Sequence, residues 1–297
     1  MPRVVVGLLD AAQEFQQLQA QDAREAAKRL KLELDVCFAE GHAVVQIQQL
    51  FKHIHVPPAE RPAAIVVEPV TGEGLERVAR NAVKAGIGWI LVNAEVAYLD
   101  ELRAAHEELP IAIVGTDQRE AGRIQGRQAR ALAPAGGRLL CVQGPADAAA
   151  SALRLDGLKQ ALGEGFELHG VNGDWTEAGG ERAVASWLRL KTAEAFRPDV
   201  VVCQNDAMAT GARKALRENR MEWGTLPFLG CDGLPEGGQK QVAEGMLAGT
   251  VVTLPNTGPA LELLARWLQA KQALPREVLL APRSHPPEDR IGPRRRG

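Results

Sequence analysis

The chain has 297 residues, about twice a typical single-domain length, so two compact units are expected. Hydrophobic residues make up 45% and charged residues 24%, and 35 Lys and Arg against 37 Asp and Glu leave no net field to gather nucleic acid or an anionic membrane. No apolar run approaches the roughly 18 residues of a membrane span, and Met1–Arg3 followed by the short run 4–9 does not read as a secretory leader. Cys37, Cys141, Cys203 and Cys231 lie too far apart for a zinc or redox motif and read as buried free thiols.

In chain order, β-branched runs predict strands at 4–9, 34–38, 64–67, 89–92, 111–114, 138–142, 167–171, 200–203, 228–229, 249–253 and 278–280. Helical stripes lie between them. Leu155, Leu158 and Leu162 share one face, as do Leu261, Leu264 and Leu268. Such alternation defines an α/β fold of parallel sheets covered by helices on both faces. Five strand–helix units run to about residue 114, and a second series runs from 138 to about 253. Gly115-Thr116-Asp117 is the expected first crossing. The expected first lobe is 1–116 plus 254–280, and the second is 117–253 plus 281–286. Residues 287–297, with the basic cluster Arg294, Arg295 and Arg296, read as a frayed tail.

Open parallel sheets bind ligands beyond the carboxyl ends of their strands. Just past the predicted strands lie Asp10, Gln13, Phe15 and Gln16, then Glu68, then Asn93. In the second half the corresponding residues are Gln143-Gly144, Asp174-Trp175, Gln204-Asn205-Asp206 and Asp232-Gly233, with Arg154 near a helix start. Carboxylates and carboxamides engage adjacent hydroxyls, Arg adds a fork of donors, and an aromatic ring covers the C–H face of a sugar. A shared crevice for a neutral polyhydroxylated ligand is therefore expected. The plainer alternatives are that Asp206 and Asp232 cap helices and that Trp175 is packing. Elbow, phosphate-loop and zinc-protease motifs are missing from the sequence. His106-Glu107-Glu108 ends at Pro110 with no second His in register, His53-Ile54-His55 reads as a surface helix end before a Pro pair, and Thr71-Gly72-Glu73-Gly74 lacks the third glycine of a dinucleotide loop. No catalytic residue, cofactor or metal is expected.

The segment Gln204-Asn205-Asp206-Ala207-Met208-Ala209-Thr210-Gly211-Ala212 resembles the QNDxMAxGA stretch of ribose-binding-type sugar receptors. Gly230-Cys231-Asp232-Gly233 is similar to their G-F-D-G turn, Arg154–Leu158 to their R-x-x-G-F helix start, and Gly115–Asp117 with Gly122 and the stretch 247–255 to their hinge strands. The resemblance implies a type I periplasmic-binding fold: two Rossmann-like lobes, a three-segment hinge and a sugar in the cleft. It places Phe15, Asp117, Arg154, Trp175, Asn205 and Asp232 at the ligand or cleft, Trp175 as the stacking ring, and Gln13, Gln16, Glu68, Asn93 and Thr253 at further family positions. At the first of these the family's Asn-Pro-Phe-Phe is Gln13-Glu14-Phe15-Gln16 here. Glu68 stands for an Asn, Asn93-Ala94 for Asp-Arg, and Thr253 for a Gln. These departures point away from ribose toward another monosaccharide, a polyol or a sugar derivative.

The function so implied is non-catalytic: closure around a small sugar or polyol and delivery to a membrane ABC permease or sensor. The alternatives are a cytoplasmic sugar-sensing module of a regulator and an enzyme on the same scaffold. The resemblance implies a periplasmic or cell-surface location, and a chain complete as given implies the cytoplasm.

Overall fold

Alternate residues of strand β1 (Arg3–Leu8) enter two different cores, which is what a strand covered on both faces requires. Val4, Val6 and Leu8 pack with alanines of helix α1 (Glu14–Leu30) and with Leu261 and Leu264 of α11 (Thr257–Ala270). Val5 faces the other way, toward α2 (Ala43–Ile54), α3 (Glu76–Lys84) and α4 (Tyr98–Ala105). Around β1 stand β2 (Glu33–Phe38), β3 (Ala64–Val67), β4 (Gly88–Val92), β5 (Ile111–Thr116) and β11 (Glu277–Leu280). They form one six-stranded parallel sheet in the order β11-β5-β4-β3-β1-β2. This is the first unit, residues 1–116 and 255–280.

The second unit, 117–254 and 281–297, repeats the plan with fewer strands. Strands β6 (Gly137–Gln143), β7 (Phe166–Asn172), β8 (Val200–Cys203) and β9 (Phe228–Leu229) run parallel in the order β7-β6-β8-β9. Leu139, Cys141, Val200 and Val202 pack toward α5 (Gln118–Leu132) and α6 (Ala149–Leu162). Leu140, Val142, Val201 and Cys203 pack toward α7 (Glu177–Leu188) and α9 (Asp206–Asn219). The short α8 (Lys191–Ala195) and α10 (Lys240–Ala243) are the remaining α-helices among the described residues.

This computed structural model describes residues 1–71, 73–220, 223 and 225–293, with residues 73 and 192 described by backbone alone. Gly72 of the glycine-rich turn and the cluster Arg294–Arg296 lie outside the described residues. Each predicted strand is present, with ends displaced by at most two residues. One strand was not predicted: β12 (Arg283–His285) pairs antiparallel with β10 (Thr250–Val252). The expected tail is also corrected over 287–293. Glu288 accepts from Arg127 Nε at 2.8 Å and Ile291 is 8% exposed, so this stretch packs on the second unit. No described helix is long and apolar enough to cross a membrane.

Helices α5 and α6 touch backbone to backbone. A Cβ at Gly157 would fall 1.9 Å from the Arg119 carbonyl oxygen, and one at Gly122 would fall 2.0 Å from that of Arg154. The α6 turn bearing Arg154 therefore reaches its place only because these two positions lack side chains. Gly157→Ala is expected to lower the unfolding free energy by about 1–3 kcal/mol in urea titration. An unchanged midpoint would contradict this close approach.

Candidate functional site

In the first unit, the loops after β1, β3, β4 and β5 are tied together by side-chain amides. Gln16 accepts from the Leu9 amide at 3.0 Å and donates to Glu68 Oε2 at 2.9 Å. Asn93 donates to Glu68 Oε1 at 3.4 Å and accepts from the Thr116 amide at 3.2 Å. Gln46 donates to the Glu68 carbonyl oxygen at 2.8 Å, fixing the backbone of the same residue. The Glu68 carboxylate is thus held by two neutral donors at the carboxyl end of β3. Gln16, only 2% exposed, has both ends of its amide engaged, which places it behind Glu68 as support. Gln13 and Phe15 are half-buried at the start of α1, and Gln13 occupies the N-cap position without a side-chain cap bond.

In the second unit, Trp175 and Asp232 meet at one guanidinium. Arg154 is 7% exposed. Its Nε donates to Gln118 Oε1 at 2.7 Å, and Nη1 donates to the Gln204 carbonyl oxygen. Nη2 lies 3.7 Å from Asp232 Oδ1, and the guanidinium carbon sits 5.5 Å from the centre of the Trp175 ring. Asn205 donates to the Trp175 carbonyl oxygen at 2.8 Å and accepts from the Met208 amide at 2.9 Å. The Trp175 ring also rests on Gly144, where a Cβ would fall 2.1 Å from the ring. Arg154, Trp175, Asn205 and Asp232 therefore form one group, with Trp175 half-buried in it. Asp117 is the N-cap of α5, accepting from the Glu120 amide at 2.8 Å. Thr253 follows β10, and its hydroxyl is buried with no hydrogen-bond partner among the described residues.

Three of the candidate residues hold left-handed backbone: Asn93 at φ 52°, Trp175 at φ 69° and Asp232 at φ 102°. Non-glycine residues rarely do so, and the strain persists only where the surroundings impose it. The helix-capping alternative is corrected at two points. Asn205, not Asp206, caps α9, and no α-helix begins directly after Asp232. Gln118 and Ser151 were not named by the sequence, and Asp206 was named only among the strand-end polar residues, with helix capping as its alternative. Ser151 and the Gly144 amide both donate to the side-chain Oε1 of Gln204, at 2.8 and 2.9 Å, anchoring the residue whose backbone carbonyl receives Arg154. The Cys231 thiol beside Asp232 is pushed up to about 12 by burial and stays protonated.

Asp206 is buried, and that burial, followed by the charge of Asp232, holds its carboxyl well above the usual range. Bonds from Thr250 and Gly233 and the charge of Arg154 pull the other way without cancelling it. A separate cavity of about 560 Å³ lies on another part of this unit, lined by Thr210, Arg213, Gln241, Met246 and Leu247.

Two parallel sheets with polar clusters at their strand ends define a ligand-binding α/β protein. The periplasmic binding protein domain family matches residues 4–270, and the chain belongs to that family. It is 26% identical over 174 residues to a putative rhizopine-binding protein of Rhizobium meliloti, covering 57% of this chain and 53% of that protein. It is 27% identical over 192 residues to a xylitol-binding protein of Mycolicibacterium smegmatis, covering 63% and 50%. The matched region spans about half the length of these curated relatives. Among solved structures, an ABC transporter periplasmic solute-binding protein of Actinobacillus succinogenes with bound D-allose shares the fold. The TM-score is 0.83 at 22% identity, covering 98% of this chain and 99% of that one.

The raised Asp206 carboxyl has a sign that follows from linkage. The folded state keeps the proton where the unfolded chain has released it, so stability is lost as pH rises above the unfolded value of about 4. Asp206→Asn removes this loss. The wild-type unfolding free energy is therefore expected to fall relative to that of Asp206→Asn as pH rises from about 4, by at most about 1.4 kcal/mol per unit. Urea titrations showing a pH-independent difference would contradict it.

Proposed function

We propose that this chain is a non-catalytic solute-binding protein for a small sugar or polyol, working outside the cytoplasm with an ABC-type permease or a membrane sensor. The observation that carries this reading is the spacing of Arg154 and Asp232. At 3.7 Å the pair attracts electrostatically but is too long for a direct hydrogen bond. A ligand hydroxyl that donates to Asp232 and accepts from Arg154 would bridge them, gaining two charge-assisted bonds. Asn205 anchors the Trp175 backbone, and Trp175 offers an apolar ring beside the charged pair, a combination suited to a polyol with C–H and O–H faces. The buried Thr253 hydroxyl would gain the partner it lacks among the described residues.

In the first unit, Glu68 and Asn93 serve as hydroxyl acceptor and donor, with Gln13 and Phe15 at the start of α1 as additional contacts. A ligand shifts the protein toward whichever arrangement it binds more tightly, and that shift is what a permease or sensor would read. The sugar- and polyol-binding relatives support this class. The departures at Glu68, Asn93 and Thr253 support a ligand other than ribose.

A thermal-shift screen over xylitol, D-allose, myo-inositol and related compounds is expected to find one that raises the melting temperature, because binding to the folded state alone must stabilise it. Asp232→Ala is expected to weaken that compound by about 2 kcal/mol, roughly thirtyfold, in calorimetry. Unchanged affinity would remove Asp232 from the site. After long incubation, mass spectrometry is expected to recover the compound intact, and conversion to product would overturn the non-catalytic reading.

A further inference from the structure

Asp206 lies one residue past the cap of α9, and Asn205 already serves that helix end. The carboxyl group of Asp206 works elsewhere. Its own amide donates to the Cys231 carbonyl oxygen at 2.7 Å, and its Oδ2 accepts from the Gly233 amide at 2.7 Å. These two bonds grip the backbone immediately before and after Asp232. Oδ1 accepts from the Thr250 hydroxyl at 2.7 Å, which ties the same group to β10. A Cβ at Gly230 would fall 2.0 Å from Oδ1, and one at Gly238 would fall 2.1 Å from Oδ2, so the carboxyl group is wedged between two stretches of bare backbone. It is 6% exposed. Asp232 meanwhile holds φ 102°, a conformation that a non-glycine residue keeps only when its neighbours hold it there.

We infer that Asp206 is a positioning residue. Without touching ligand, it clamps the 231–233 turn and so sets the left-handed conformation that brings the Asp232 carboxylate to its 3.7 Å station beside Arg154. The geometric part stands on the bonds themselves, and the consequence for affinity rests on the proposed role of Asp232. Asn at this position matches the shape. Its oxygen accepts from Gly233, and its amide donates to a Thr250 hydroxyl turned to accept. Ala releases the turn.

Amide hydrogen exchange and binding separate the two parts. In Asp206→Ala, exchange at the Gly233 amide is expected to speed up by more than about tenfold, while Asp206→Asn stays within about threefold of wild type. Unchanged protection of Gly233 in Asp206→Ala overturns the inference. For whichever of xylitol, D-allose or myo-inositol the wild type binds, Asp206→Ala is expected to cost about as much affinity as Asp232→Ala. Added to Asp232→Ala, it is expected to cost less than about threefold more. Losses that multiply overturn the inference, because they would show Asp206 acting independently of Asp232. A wild type that binds none of the three counts against the proposed function, while the Gly233 exchange still decides the clamp. Should Asp206→Ala not fold, Thr250→Val removes one tether and is expected to give the same pattern in smaller measure. A loss multiplying with that of Asp232→Ala would again overturn it.

Discussion

A guanidinium 7% exposed has given up most of its water, and the cost is tolerable only where acceptors replace that water on several sides. For Arg154 two acceptors and one opposite charge come from separate parts of the second unit. Gln118 opens α5, the Gln204 carbonyl ends the stretch after β8, and Asp232 follows β9. Most of the local architecture serves this meeting. Gly122 and Gly157 let α6 lie against α5, Ser151 and the Gly144 amide anchor Gln204, and Asp206 fixes the turn that carries Asp232. A charge so placed is strongly oriented in the protein alone, and for the proposed ligand role that preorganisation would keep the ordering cost of binding low.

The first unit solves a related problem differently. Its carboxylate, Glu68, is held by the carboxamides of Gln16 and Asn93. Neutral donors orient a carboxylate without cancelling its charge, so it remains a strong acceptor for hydroxyl groups. The second unit instead sets cation beside anion and adds a ring. Each arrangement leaves carboxylate oxygens oriented by their neighbours.

The regular parts of both units were legible because a strand buried on two faces leaves a continuous β-branched run such as Ala64–Val67 or Val200–Cys203. Strand β12, Arg-Ser-His, carries no such run, since it pairs at the margin of the fold and buries little. The site was partly legible for a topological reason. Residues just past parallel strands share one end of a sheet, which is how Arg154, Trp175, Asn205 and Asp232 could be named together. The supporting residues were not. Gln118 and Ser151 look like ordinary helix-start polar residues, and Asp206 reads as a cap because Asp is common there. Their roles depend on which backbone groups lie opposite them across the fold, and spacing along the chain does not encode that.

The central claim is that a polyol sits at the strand ends of the second unit, against the Arg154 group. Amide chemical-shift mapping during titration with xylitol, D-allose and myo-inositol tests it most directly. For a compound that binds, the account expects the largest shifts in that unit at Gly144, Asn205 and Gly233. Largest shifts at Thr210 and Leu247, around the cavity elsewhere on the unit, would contradict it.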